Sequence, residues 1–257
     1  MNSRVISLLA TAVMGVSAVM MPTLASAEAS ATYITHSDFS DCAVGGRAGL
    51  GYYGLNIILD GSPWLKKGSS DVQAETWLHD DKLDMNYCNF YANCEKSGAY
   101  GAGSYYVYQR DTTANYTKEY GLCEFLIRMN SGTMRMMLGD FTDATSSTNY
   151  IAGQLDFTDS AIKISDGSQT ANVAAVSAGK WYRVRIVVDN KLQEYTVTVT
   201  DNETGKTVGS YDGAAYVQKE ATGIRTYCFG YVKNAGSMDF DLTDVTIEKH
   251  NTKPVTN

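Results

Sequence analysis

The chain has 257 residues, with 21 Lys and Arg against 28 Asp and Glu, 44% hydrophobic residues and three prolines, a balance that excludes a disordered tail or a repetitive fibre. A net charge of −7 with no local run of Lys or Arg argues against a phosphate-tracking nucleic-acid binder. Tyrosine is in excess, at 18 against seven Phe and three Trp, and ten of these tyrosines fall between Tyr52 and Tyr120.

Residues 1–27 read as a signal peptide. Arg4 supplies the positive start, Val5 to Met21 an uncharged and largely apolar run, and Ala25-Ser26-Ala27 the small-x-small pattern of a cleavage site. A membrane anchor is the alternative, against which Pro22 and the cleavage pattern argue. No later apolar run is long enough to span a bilayer, so the mature protein is expected to be secreted, soluble and without a membrane span. Removing the leader takes only Arg4 from the charged set, so the acidic balance persists. Residues 28–250 are expected to form one domain, because no repeat, Pro-rich linker or shift of composition divides them, and 251–257 a polar tail. A chain of this length buries enough surface to need no disulfide. Cys42, Cys88, Cys94, Cys123 and Cys228 are an odd set that does not read as a disulfide framework; a Cys88–Cys94 bridge and buried thiols are both open readings.

Along the domain the apolar period is two, and Gly or Asn/Asp breaks recur at intervals of roughly ten residues, the pattern of a sandwich or barrel of short antiparallel strands. In Asp71–His79, the core-like positions are Val72, Ala74, Thr76 and Leu78, which places Gln73, Glu75, Trp77 and His79 on the opposite face. Asp80–Met85 is the best candidate for helix, a turn or two at most. Ser104–Arg110 sets Tyr106, Tyr108 and Arg110 against Tyr105, Val107 and Gln109. In Leu122–Met129, Glu124 and Arg128 lie opposite Cys123, Phe125, Ile127 and Met129; beyond a break at Ser131-Gly132, Arg135 lies opposite Met134, Met136 and Leu138.

Farther on, Arg183–Asp189 and Tyr195–Asp201 form a hairpin about Asp189-Asn190-Lys191, and Thr207–Tyr211 extends the meander. The last strand slips parity: Met238, Phe240 and Leu242 share one side, Val245 and Ile247 the other, which a β-bulge explains. The opening Ser37–Asp41 segment is expected to pair with this strand and bring the ends of the domain together.

The segments Asp38-Phe39-Ser40-Asp41, Tyr120–Arg128, Gly179–Asp189 and Asp239–Ile247, in that order, resemble the concanavalin A-like lectin/glucanase (laminin G-like jelly-roll) superfamily across almost the whole mature chain. The resemblance implies an all-β fold, an antiparallel jelly-roll β-sandwich, and a glycan as partner, without separating lectins from lyases or hydrolases, which share this sandwich. Tyr120–Arg128 is similar to a strand of family 16 glycoside hydrolases, but the next strand there carries paired carboxylates as nucleophile and acid. Here Thr133–Asp140 contains no Glu, so the retaining-glycosidase reading fails on its own requirement.

If the four strands carrying these faces share the concave sheet, Trp77, Tyr106 and Tyr108 offer rings for sugar C–H groups, and Gln73, Glu75, Arg110, Glu124, Arg128 and Arg135 offer hydrogen bonds. The expected function is therefore lectin-like carbohydrate binding, of a poly- or oligosaccharide and not of nucleic acid. A polysaccharide lyase or glycoside hydrolase on the same sheet is the alternative. As a lyase, His79 is the base, Tyr106 or Tyr108 the acid, and Arg110 or Arg128 the neutralising cation. A surface or adhesive protein that binds another protein is the third reading. His36 and His250, near the domain ends, are expected to face solvent. Asp38, Asp41, Asp241 and Asp244 are candidates for a structural calcium ion, oxygen ligands being what calcium takes; acidic residues guarding a sheet edge are the other explanation.

Overall fold

The computed structural model describes residues 32–40, 42, 44–45, 57–59, 62–67, 73–93, 106–110, 119–140, 150–221, 223–224, 226–231 and 237–254. The expected signal peptide lies outside these residues. The strands, in chain order, are β1 (Thr32–Ser37), β2 (Ile57–Leu59), β3 (Ser62–Lys67), β4 (Gln73–Asp80) and β5 (Met85–Asn93). They continue with β6 (Tyr106–Arg110), β7 (Tyr120–Asp140), β8 (Tyr150–Thr158), β9 (Ala161–Asp166) and β10 (Gln169–Ala175). Last come β11 (Trp181–Asp189), β12 (Glu194–Asp201), β13 (Thr207–Ala215), β14 (Thr226–Tyr231) and β15 (Ser237–His250). Every pairing among them is antiparallel.

β7 organises the two layers. Its first half pairs with β15 on one side and β11 on the other, its second half with β14 and β8. One layer runs β4-β5-β15-β7-β11-β12, with β1 beside the second half of β15; the other runs β2-β3-β6-β14-β7-β8-β9-β10. β13 pairs with β12 and touches β10 at Ala174–Gly209, closing that side. Ser131-Gly132 is thus a bend within one strand, not the expected break. Gly132 takes φ +77, and a Cβ there would stand 1.9 Å from the Ser237 carbonyl oxygen, so only glycine permits the approach.

Alternation fills the interior between the layers. In β12 the odd residues Tyr195, Val197 and Val199 are buried while the threonines between them are half-exposed, the expected period of a strand with one wet face. Phe125 meets Phe229 edge-on at 5.1 Å and Phe157 at 6.1 Å, joining the first half of β7 to β14 and β8 across the core. The expected slip in the last strand is present: the β15–β7 register shifts between Thr243 and Thr246, and Asp244 has φ 49. The ends of the domain do meet, through β1, whose Thr32–Ser37 pairs with Lys249–Val245 just upstream of the segment expected to do so. Residues 81–84 form the turn between β4 and β5.

Three expectations change here. Trp77 does not face outward; it is 6% exposed, belongs to the central core and packs on Phe39 with ring centroids 4.9 Å apart. Alternation points it outward because Gln73, Glu75 and His79 share its parity, yet β4 packs on both sides at this point, Leu78 lying with Leu83 and Met85 around Tyr87, Leu126 and Trp181. The four segments of the expected groove do not share one layer, since β4 and the first half of β7 lie in one and β6 and the second half of β7 in the other. His250 is buried and bonded to Glu248 at 2.8 Å, whereas His36 is exposed as expected and lies 2.8 Å from the Thr246 hydroxyl. Cys123 and Cys228 are fully buried thiols whose pKa burial pushes well up; Cys88 is buried and Cys94 lies outside the described residues.

Candidate functional site

Register builds a polar row across the outer face of the first layer. Asn89 stands opposite Asp241, Asp241 opposite Arg128, and Arg128 opposite Trp181, and directly opposed residues on antiparallel strands share a face. Four strands therefore deliver an amide, a carboxylate, a guanidinium and an indole in line. Arg128 Nε donates to Asp241 Oδ2 at 2.7 Å, and its Nη1 reaches Asp80 Oδ2 at the end of β4 at 3.0 Å. Its guanidinium carbon lies 4.5 Å from the Trp181 ring centroid and 4.9 Å from that of Tyr87, within the range of cation–π attraction. Trp181 Nε1 donates to Asp80 Oδ2 at 2.9 Å. Asn89 and Asn130 supply the further donors of Asp241, at 2.8 and 3.0 Å.

The electrostatics follow from this network. Burial alone acts to raise the Asp80 carboxyl, but the bonds from Trp181 and from the Leu83 amide, with the Arg128 charge, outweigh it and hold the group below its ordinary value. Burial likewise acts to lower Arg128, and the bond and charge of Asp241 overcome it, so the guanidinium pKa lies above its usual value. Both groups stay ionised at neutral pH.

Beside this row opens a cleft of about 130 Å³. Asp80, Arg128 and Trp181 line it, the β4–β5 turn contributes Lys82 and Leu83, and Lys180 with the β12–β13 turn at Asn202 and Glu203 completes it. Lys82 Nζ and Glu203 Oε1 join the two turns at 2.6 Å, and Lys180 Nζ lies 3.9 Å from Asp201 Oδ2. The Lys82 bond and charge lower Glu203, and the Glu203 bond raises Lys82. Asp201 is lowered first by the amide of Thr204, which it caps. Trp181, 8% exposed with its ring against Tyr87 and Arg128, and Leu83 lie at the inner side, and paired donors and acceptors stand at the rim.

Of the residues expected from sequence, Arg128 lies in this cleft. Glu124 is on the same outer face two rows away, where it accepts from Arg183 at 2.9 Å and Arg185 at 2.8 Å; it does not pair with Arg128 along its own strand. Arg135 belongs to the other layer and forms a two-point bond with Asp156, 2.6 and 2.8 Å. His79 is exposed at the end of β4, Nδ1 2.9 Å from Asn86 Oδ1. Tyr106, Tyr108 and Arg110 stand in register opposite Gly230, Cys228 and Thr226 in the second layer, so the expected lyase set of His79, Tyr106 and Arg110 is divided between layers. The side chains of Gln73, Glu75, Tyr106, Tyr108 and Arg110 lie outside what is described.

For the expected calcium ligands, Asp241 is turned to Arg128 and Asp244 to Arg183 at 2.9 Å, Asp38 caps the Ser40 amide at 2.9 Å, and Asp41 is not described. Among the described residues no group of three His, Cys, Asp or Glu side chains converges as a metal site. Sequence reasoning missed Trp181, Asp80 and Tyr87 as neighbours of Arg128. A signal existed for Trp181, which shares the parity of Arg183 and Arg185 on β11, opposite buried Tyr182 and Val184.

No family model matches the chain, and no curated protein matches it in sequence. In structure it is similar to part of a sialidase, at 14% identity and a TM-score of 0.54; the match covers 84% of this chain and spans 18% of the length of the sialidase. It is also similar to the catalytic domain of a glycoside hydrolase family 131 protein from Coprinopsis cinerea (TM-score 0.47, 10% identity, 76% of this chain and 86% of that one). A third is a seed lectin of Lotus tetragonolobus (TM-score 0.37, 11% identity, 75% of this chain and 91% of that one). At these identities the likeness concerns architecture. With the all-antiparallel pairing and the two layers closed by β7 and β13, it shows an all-β fold, a two-layered antiparallel sandwich.

Proposed function

We propose that this protein is a carbohydrate-binding jelly roll that seats a glycan in the cleft between the β4–β5 and β12–β13 turns. The observation that supports the reading is the gathering at this one small cleft of paired donors and acceptors from facing turns, over a floor made by the largely buried Trp181 and by Leu83. Sugars present hydroxyls that accept and donate at once to fixed polar groups, so a small cleft rimmed by paired donors and acceptors suits them. The experiment is a glycan array on the purified protein, followed by calorimetry on the best ligand with Lys180→Ala and Asn202→Ala. Both residues lie on exposed turns, so the fold is retained. Loss of affinity in both variants is expected. Absence of any glycan binding, or binding that ignores both substitutions, refutes the placement.

A catalytic reading draws on the same fold but has less support, because His79 and Arg128 sit in one layer and the expected acids, Tyr106 and Tyr108, in the other.

A further inference from the structure

Counted by charge, the cleft is balanced. Three carboxylates, Asp80, Asp201 and Glu203, and three cations, Arg128, Lys82 and Lys180, line it, and every cation is already paired: Arg128 with Asp80 at 3.0 Å and, behind it, with Asp241 at 2.7 Å, Lys82 with Glu203 at 2.6 Å, Lys180 with Asp201 at 3.9 Å. An acidic sugar entering this space must take a cation from its carboxylate. That leaves two carboxylates competing for one positive group, a like-charge arrangement that costs free energy. A hydroxyl imposes no such exchange. It accepts from an ammonium and donates to a carboxylate at once, so two neighbouring hydroxyls insert between a lysine and its carboxylate and keep both satisfied with no change in net charge.

Size narrows the ligand further. A space of about 130 Å³ is well below the several hundred Å³ of sites that enclose a drug-sized molecule, so a single sugar ring occupies it and the rest of a chain lies outside. Leu83 and the largely buried Trp181 lie at the inner side, while the Lys82–Glu203 pair bridges the two turns and the Lys180–Asp201 pair stands beside it.

We infer that the cleft takes one neutral pyranose residue of a glycan, held through adjacent hydroxyls by the Lys82–Glu203 and Lys180–Asp201 pairs, and that it rejects uronates and sialic acid. This rests on the proposed glycan site and names its ligand class.

The test compares neutral oligosaccharides of glucose, galactose, mannose and xylose with oligogalacturonate, oligoalginate and sialyllactose, by calorimetry at 50 and 500 mM NaCl. Expected are binding of at least one neutral series, a Kd that changes less than about threefold with salt because no net charge is exchanged, and no acidic ligand bound. Glu203→Gln releases Lys82 and removes one negative charge from the rim. It is expected to weaken the neutral ligand severalfold and to admit an acidic one. If the wild-type protein binds an acidic ligand and Lys180→Ala abolishes that binding, the neutral-ligand inference falls while the glycan site stands. If no glycan of either kind binds, both fall. Neutral binding that Glu203→Gln and Lys180→Ala leave unchanged also overturns the inference, since the grip is then elsewhere.

Discussion

Arg128 ties together more of the outer face than any other described side chain, and Arg128→Met isolates what its guanidinium does while keeping an unbranched stem against Tyr87 and Trp181. Two ion pairs disappear, to Asp241 at 2.7 Å and Asp80 at 3.0 Å. Asp241, whose side chain is 2% exposed, keeps only the amide donors of Asn89 and Asn130. Removing one partner of a buried pair costs about 3–5 kcal/mol, chiefly because the other charge is stranded. The two ring contacts add about 0.5–1 kcal/mol each, which the methionine stem partly restores. A loss of about 4 kcal/mol follows, or a fall in Tm of about 8–16 °C for a chain of this size.

Urea unfolding at pH 7 checks this prediction, with an unchanged m-value as the sign that the native state is still compact. The cause is separated from mere volume by Arg128→Met/Asp241→Asn. Neutralising the stranded carboxylate should make the double variant less costly than the sum of the single changes by about 1–3 kcal/mol. A single-variant loss below about 1 kcal/mol, or strict additivity, shows that the carboxylate is reached by water or by other donors, and the network argued above is then wrong.

The buried position of Trp77 predicts that Trp77→Ala costs about 3–5 kcal/mol through a core cavity, while glycan affinity, read on the folded fraction by calorimetry, stays unchanged; loss of affinity without loss of stability would return Trp77 to the surface. Gly132→Ala places a Cβ 1.9 Å from the Ser237 oxygen at φ +77 and is expected to abolish soluble expression or lower Tm by more than 10 °C, whereas Gly179→Ala, at φ +74 with nothing within 4 Å, costs only about 1 kcal/mol. Asp80 has a folded pKa below its unfolded value near 3.9, so the stability it contributes is complete above about pH 4 and disappears as pH falls through the folded value. Asp80→Asn therefore flattens the acid limb of a stability–pH curve, and an unchanged limb contradicts the assignment. Cys123 and Cys228 should resist iodoacetamide in the native protein and react in 6 M guanidinium, as peptide mass mapping will show.

What the sequence reveals here is what depends on neighbours along the chain. Alternation places Phe125 and Ile127 inside and Glu124 and Arg128 outside, because period two is local geometry. The slip between Leu242 and Val245 is visible for the same reason, and Asp244 at φ 49 is its physical form. The hairpin of β11 and β12 needs only a turn at Asp189–Lys191 between two strands. Alternation fails at Trp77, whose face also carries Gln73, Glu75 and His79 and so reads as polar, although Trp77 itself is buried. It fails again at Gly132, because a glycine that ends a strand and one that bends it look alike until the Ser237 backbone is seen against it.

The candidate site lies beyond this local grammar. Asp80, Arg128, Trp181 and Asp241 come from four strands, and the bond from Arg128 to Asp241 crosses 113 positions of chain. Nothing near Arg128 in sequence distinguishes Asp241 or Asp80 from Glu124, the carboxylate on its own strand. The register of β15 and β11 against β7 makes that choice, giving Arg128 the first two and giving Glu124 to Arg183 and Arg185. The apolar set fixes that register in turn. A shift of one residue carries Val184, Ile186 and Val188 from the core to the outer face, so the same hydrophobic pattern that was legible from the start holds the polar row in line. A polar substitution at Ile186 is therefore expected to disturb the cleft without touching it.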